Sequence, residues 1–181
     1  MAGRTAPEGA AEPDDRLRRV RAQVAAHEPI DGRERSAKEQ ALVFLDRLPR
    51  PLEAVDPTHV TASAVVVGRR GVLLHRHRKL GRWMQPGGHL DPAEEPAEAA
   101  VRECREETGL SVTHPWGEPR LVHLDVHAAA AGHVHIDLRY LVEGPDARPE
   151  PEPGESPEVA WVSWDEAEAL ADEALAGALS V

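Results

Sequence analysis

The chain has 181 residues, 41% of them apolar, which suits one domain of ordinary size, or one domain with an appendage, and excludes a multidomain machine. Thirty-two acidic residues against twenty-one basic ones leave a formal charge of −11, so no attraction to nucleic acid or to an anionic membrane is expected, and an anionic ligand must be met locally. The single cysteine, Cys104, excludes an internal disulfide framework and a zinc site built on several cysteines; a reducing compartment, with the cytoplasm as default, is the expectation.

Residues 1–14 are rich in Pro, Gly, Ala and acidic side chains, lack the apolar stretch of a secretory signal, and read as a mobile tail. Leu17, Val20 and Val24 then recur at helical spacing. A second helix is expected from Asp31, an N-cap with Glu34 three residues on, and its buried stripe is Ala37, Ala41, Phe44 or Leu45, and Leu48. Pro49 and Pro51 stop it, so residues 15–50 form a helical hairpin extension ahead of a domain over 51–181. The hairpin has no carboxylate pair or histidine cluster comparable to the glutamate-rich stretch further on, and its apolar stripes need a partner, either the domain core or a second copy in a homodimer.

The character changes at HVTASAVVVG, which is β-branched and small; RRG turns the chain and VLLHRHR runs back, so residues 59–78 read as two strands. Glu94 to Thr108 are strong helix formers with Ala97, Ala100 or Val101, and Cys104 on one side, stopped by Gly109. Strands follow at 119–127, 133–142 and 158–163, a proline-rich loop at 144–157, and a closing helix at 165–176. No apolar run approaches the roughly 20 residues of a membrane-spanning helix. The order of elements implies a mixed sheet with helices packed on it.

The chemistry concentrates in Gly88 to Leu110, GHLDPAEEPAEAAVRECREETGL. Glu103 and Glu107 are four apart and Glu103 and Glu106 three apart, so the three carboxylates share one helix face. Such clustering is destabilising unless a cation neutralises it, and hard carboxylate oxygens suit Mg²⁺, with Mn²⁺ as the alternative. Arg102, four residues before Glu106 and eight after Glu94, ties the cluster to the preceding loop, and Gly88 allows close backbone approach so that its carbonyl can complete a metal shell. An ordinary solvated acidic helix face is the plainer reading of an E-rich helix. The spacing argues against it: a Gly, five residues, Glu94, seven residues, then Arg102–Glu103–Cys104–Arg105–Glu106–Glu107–Thr108–Gly109–Leu110.

This stretch resembles the signature of the Nudix hydrolases at every required polar and glycine position, with Cys104 in an apolar slot. HVTASAVVV, VLLHRHRKLGRWMQPGGH and EVAWVSWDEAEAL are similar to the strands and final helix around that signature, so the resemblance covers residues 59–176. It implies an α/β/α sandwich around a mixed sheet. It also implies Mg²⁺-dependent hydrolysis of a small-molecule phosphoanhydride, a nucleoside diphosphate linked to another group. Carried onto this chain, Glu103, Glu106 and Glu107 are metal ligands or base, Gly88 contributes its carbonyl, and Arg102 and Glu94 orient the cluster. Spacing does not identify the base; Glu155 and Glu158 in the distal loop are further candidates beside their plainer reading as ordinary acidic loop residues.

Histidines form the second unusual pattern. His75 and His77, then His123, Asp125 and His127, then His133, His135 and Asp137 alternate along three strands and so lie on one face of each. Lining a cleft, they would bind phosphate, supply a base or hold another metal; facing solvent, they are ordinary polar residues. We expect His89, beside Gly88, and at least one of His123, His133 and His135 to face the diphosphate, with Trp83 a candidate for stacking on a base. The residues 15–17 beyond the signature, Asp125 to His127, carry neither the proline of ADP-ribose hydrolases nor the tyrosine of diadenosine polyphosphate hydrolases, which leaves a nucleoside triphosphate or a nucleotide-sugar-like diphosphate. Two other readings compete. One is a ligand-binding or sensing domain on the same fold without hydrolysis, for which three clustered glutamates are unnecessary. The other is a prenyl diphosphate isomerase, which would want a cysteine in the cleft rather than on the core side of its helix.

Overall fold

The computed structural model describes residues 15–171 and 173–179; the expected tail at 1–14 lies outside them. Its elements in chain order are α1 (Asp15–Ala26), α2 (Gly32–Arg47), β1 (Thr58–Gly68), β2 (Gly71–Arg76), β3 (Trp83–Met84), β4 (Gly87–His89), α3 (Pro96–Thr108), β5 (Arg120–Ala128), β6 (Val134–Glu143), β7 (Val159–Val162), α4 (Trp164–Leu170) and α5 (Glu173–Leu179). The sheet runs β3-β2-β1-β6-β5, with β4 also paired to β1 and β7 to β2. Among the described strands only β1 and β6 pair in parallel, and the long connection between them, which includes α3 and β5, permits it; the other pairings are antiparallel.

Strand β1 is buried along most of its length and has two different faces. Val60, Ala62, Ala64 and Val66 meet Ile136, Leu138, Tyr140 and Val142 of β6 in the main core, which α1, α2 and α3 close with Val20, Val24, Ala41, Leu45, Ala100 and Cys104. On the opposite face α4 and α5 pack through Ala167 and Leu175 on Val72 and Leu74, and through Ala178 on Val65 and Val122. The result is a mixed sheet between two helical layers, as the sequence implies.

The hairpin of α1 and α2 is built into the main core. Asp31 caps α2, its carboxylate accepting from the Glu34 amide at 2.7 Å. Glu34 itself does not reach back to the cap. It is buried, accepts from the Ile30 amide at 2.7 Å and from the Leu124 amide of β5 at 2.9 Å, and meets His27 Nε2 at 2.6 Å. Replacing it with alanine would strand the buried Leu124 amide and free the part-buried Ile30 amide, so Glu34→Ala is expected to cost about 2–4 kcal/mol in a denaturant melt, with Glu34→Gln retaining part of that stability.

Three expectations are corrected. The helix expected from Glu94 begins at Pro96: proline at its first position suits the helix, while the residue before a proline disfavours helical backbone. The strand expected to run to residue 78 ends at Arg76, because the chain turns at His77, whose carbonyl accepts from the Gly81 amide at 2.8 Å; the short strands β3 and β4 follow before the glutamate helix. The closing helix is two helices, because Ala171 adopts extended backbone after α4. The proline-rich loop is irregular but well tied. Glu152 and Glu150 donate their amides to Glu106 O at 3.0 Å and Thr108 O at 2.9 Å, satisfying carbonyls that the end of α3 leaves open. Gly109 turns there at φ 72°, and a Cβ would lie 2.0 Å from Glu150 O.

Candidate functional site

Helix α3 packs its small residues Ala97, Ala100 and Cys104 on the sheet, and this close approach presents its glutamates to β4. The Gly87 amide donates to Glu107 Oε2 at 2.8 Å, and a Cβ at Gly88 would come within 2.6 Å of Glu103 Oε1. The two glycines therefore leave the carboxylates room beside the strand. Arg102 holds the group together: it donates to Glu94 at 2.9 Å, to Glu103 at 2.9 Å, to Glu106 at 3.1 Å and to the His89 carbonyl at 2.8 Å. Its pKa is raised, first by the Glu94 hydrogen bond, so it stays charged, and although burial opposes the charge on Glu94, the same guanidinium keeps that carboxyl below its ordinary range.

The carboxylates pay unequally for this crowding. Burial pushes Glu107 up to about 8, with Glu103, Glu155 and Glu106 adding repulsion, and burial also raises Glu103 despite Arg102. Glu106 is the most open, its side chain one-third exposed. Beside Glu107 lies a cleft of about 550 Å³ lined by His75, His77, Arg78, Lys79, Glu107, Gly154, Glu155 and Ser156. His75 approaches Glu107 at 3.6 Å, but burial and its neighbour His77 lower it to about 4, so the two do not form an ion pair at neutral pH. Cradle, charge and donor set fit a hard divalent cation: three carboxylates and a backbone carbonyl, all oxygens, carry repulsion that a cation relieves.

The structure thus brings together Gly88, Arg102, Glu103, Glu106 and Glu107, and adds Glu155, which the loop bonds to the end of α3 carry to the same cleft. Glu158 instead pairs with Arg76 at 3.2 Å on the surface. The strand histidines divide. His123 is buried, with its Nδ1 at 3.3 Å from Arg139, and a Cβ at Gly177 of α5 would lie 2.5 Å from its Nε2, so it is a packed interior residue. His89, His133 and His135 gather instead around His59, with ring centroids 5.0–5.4 Å from it. Trp83 packs on the Val72 and Leu74 cluster, half-buried. Sequence reasoning passed over His59, and its one available signal was an even offset from Thr61 and Ser63 on a polar strand face.

Between these groups the sheet carries a buried polar network. Asp137 of β6 accepts from Ser63 at 2.7 Å, Arg139 at 2.8 Å, Thr61 at 3.2 Å and Gln85 at 3.4 Å. Burial opposes its charge, yet Arg139 and the hydroxyl donors hold it below the ordinary carboxylate range. Across β5, burial likewise opposes Asp125, which His127 and Arg139 bring down to about 2.

A mixed sheet between helical layers, with a glycine-bearing strand facing a helix of three convergent glutamates locked by one arginine, defines a Nudix-type fold and centre. The chain belongs to the Nudix hydrolase family: the NUDIX domain model matches residues 57–179. It is 39% identical over 111 residues to the CMP-5'-(N-acetyl-N-hydroxy-3-aminopropyl)phosphonate hydrolase of Streptomyces rubellomurinus, covering 56% of this chain and 49% of that protein. It is 41% identical over 54 residues to the RNA pyrophosphohydrolase of Erythrobacter litoralis, covering 28% and 33%. The chain therefore spans half or less of the length of these curated relatives. Among solved structures, a NUDIX-family hydrolase from Clostridium perfringens superposes with a TM-score of 0.58 at 31% identity, covering 67% of this chain and 94% of that one. Among the described residues no helix is long and apolar enough to cross a membrane.

Proposed function

We propose that the chain hydrolyses a phosphoanhydride bond in a small molecule that joins a nucleoside phosphate to another group, with Mg²⁺, or Mn²⁺ in its place, as cofactor. The observation that carries this reading is the convergence of Glu103 and Glu107 on Gly87 and Gly88 beside an open cleft. Gly88 O, Glu103, Glu106 and Glu107 would hold the cation, which supplies charge neutralisation at phosphate and a more acidic water. Arg102 keeps Glu103 and Glu106 in place through direct hydrogen bonds while the substrate binds. Arg78 and Lys79 line the cleft and offer positive charge to phosphate oxygens in an otherwise acidic protein.

Glu103 and Glu106 are the in-helix carboxylates for taking the water proton, and Glu155 is the distal alternative, since it faces the same cleft. His89 adjoins Gly88 and contributes through its carbonyl bond to Arg102. The likeness to a hydrolase named for a CMP-linked phosphonate favours a nucleotide-sugar-like diphosphate over a triphosphate. The isomerase reading loses its cleft cysteine: Cys104 is fully buried and its thiol is pushed up to about 12 by burial. Release of orthophosphate, or of two monophosphates, from a panel of nucleotides and nucleotide conjugates in Mg²⁺ tests the proposal. Hydrolysis lost in EDTA and in Glu103→Gln is expected; tight binding of a nucleotide without turnover would instead favour a sensing domain.

A further inference from the structure

The geometry points to a second metal centre on the opposite kind of donor: a site for a borderline divalent transition ion such as Zn²⁺, built from His59 of β1, His89 of β4 and His135 of β6. One ring nitrogen from each of these three residues lies within 4.8 Å of the others. The register explains the convergence. His59 pairs with His135 across the parallel β1–β6 ladder, and His89 pairs with Thr61, two residues along β1 on the face that also carries His59. Three imidazoles from three strands therefore stand over one patch of sheet.

His59 shows that the patch is poised for a ligand. Its side chain is wholly buried, and its Nδ1 lies 2.6 Å from the Asp56 carbonyl, an acceptor that fixes the ring proton on Nδ1. Nε2 is then left with a bare lone pair, and it has no hydrogen-bond partner in the structure. A buried acceptor without a partner costs stability, and a lone pair with its far nitrogen tied to a carbonyl is how metal-binding histidines are oriented. No hydrogen bond among the described residues accounts for it. His135 is held down to about 4 by burial and its histidine neighbours, so it presents a neutral ring.

Nitrogen atoms around tetrahedral zinc stand about 3.4 Å apart at bond lengths of 2.0–2.1 Å, so rotation of the half-buried His135 and the exposed His89 toward His59 completes three corners. His133, 5.4 Å from His59 between ring centroids, or solvent takes the fourth. Three nitrogens do not suit Mg²⁺, which prefers oxygen, and this separates the centre chemically from the glutamate cluster. Because His89 directly follows Gly88, an ion here would also pin β4, the strand that carries the glycine carbonyl of the other site.

Untagged protein, stripped with chelator and returned to buffer with excess Mg²⁺ to fill the carboxylates, is titrated with Zn²⁺, and bound zinc is measured by calorimetry and by metal content after gel filtration. One equivalent is expected, with a raised melting temperature. His89→Asn and His135→Asn, both at positions with solvent access and checked for folding by circular dichroism, are each expected to weaken binding at least about tenfold, while Glu103→Gln keeps the zinc. Failure of the folded wild type to bind Zn²⁺ under Mg²⁺, equal retention by both asparagine variants, or loss of zinc in Glu103→Gln would each overturn the proposal.

Discussion

Glu107→Gln is expected to lower turnover at least about a hundredfold and, in metal-free buffer at pH 8, to raise the melting temperature by about 5 °C. Both effects come from the same carboxylate. Burial lifts its pKa from 4.5 to about 8 in the folded protein, so between those values the folded state binds more protons than the unfolded one. The metal-free protein therefore loses stability as pH rises from 4.5 through 8, by an amount on the order of a few kcal/mol. Glutamine carries no charge to desolvate and still accepts from the Gly87 amide. The two proteins should melt together near pH 5 and diverge by pH 8, and added Mg²⁺ should close the gap by stabilising only the wild type. A variant that melts below the wild type at pH 8 would show that Glu107 supports the fold rather than straining it.

Asp137→Ala is expected to cost about 3–5 kcal/mol, a fall of about 10 °C or more in melting temperature. The alanine removes the acceptor of two hydroxyls and of the Arg139 Nε, all inside the sheet. Asp137→Asn keeps an acceptor for Ser63 and Thr61 and should lose about half as much, which measures the share of the charge. The sign with pH is opposite to that of Glu107. Asp137 and Asp125 have lowered pKa values, Asp125 down to about 2, so the stability they contribute is present above the ordinary Asp value of 3.8 and is lost as pH falls through their lowered values. Acid melts followed by circular dichroism should show the wild type giving way below pH 4 and the alanine variant, which keeps only Asp125, showing a smaller step.

What the sequence shows and what it hides divide along the range of the interactions. The glutamate face of α3 is legible because three- and four-residue spacing is a local property of one helix, and the family signature adds Gly88 and Glu94 at fixed offsets. The alternation of His133, His135 and Asp137 is equally local; it places His135 and Asp137 on one face of β6, with His133 immediately before the strand. Which strand lies next to which is set by the β1–β6 pairing across more than seventy residues, so the meeting of His59 with His135 has no trace in either segment alone. The same holds for Glu34. Its spacing from Asp31 suggests a reciprocal cap, and only the docking of α2 on β5 reveals that its oxygen goes to Leu124. Glu155 arrives at the cleft because neighbouring amides cap α3, a partnership between a loop and a helix end some forty residues earlier.

The Glu34 contact has a bearing on solubility as well as on folding free energy. Strand β5 is the last in its row, and the amide of Leu124 would otherwise be a donor available to any extended chain that came alongside. A carboxylate occupies that position, presenting negative charge where an intruding strand would need to offer a carbonyl. Loss of α2, by mutation or by proteolysis of the link after Arg47, would uncover a ready template for chain-to-chain pairing. The helical layer thus works as a guard on the sheet margin, and damage to it would surface as fibrous or amorphous precipitate on warming before the glutamates of α3 were disturbed.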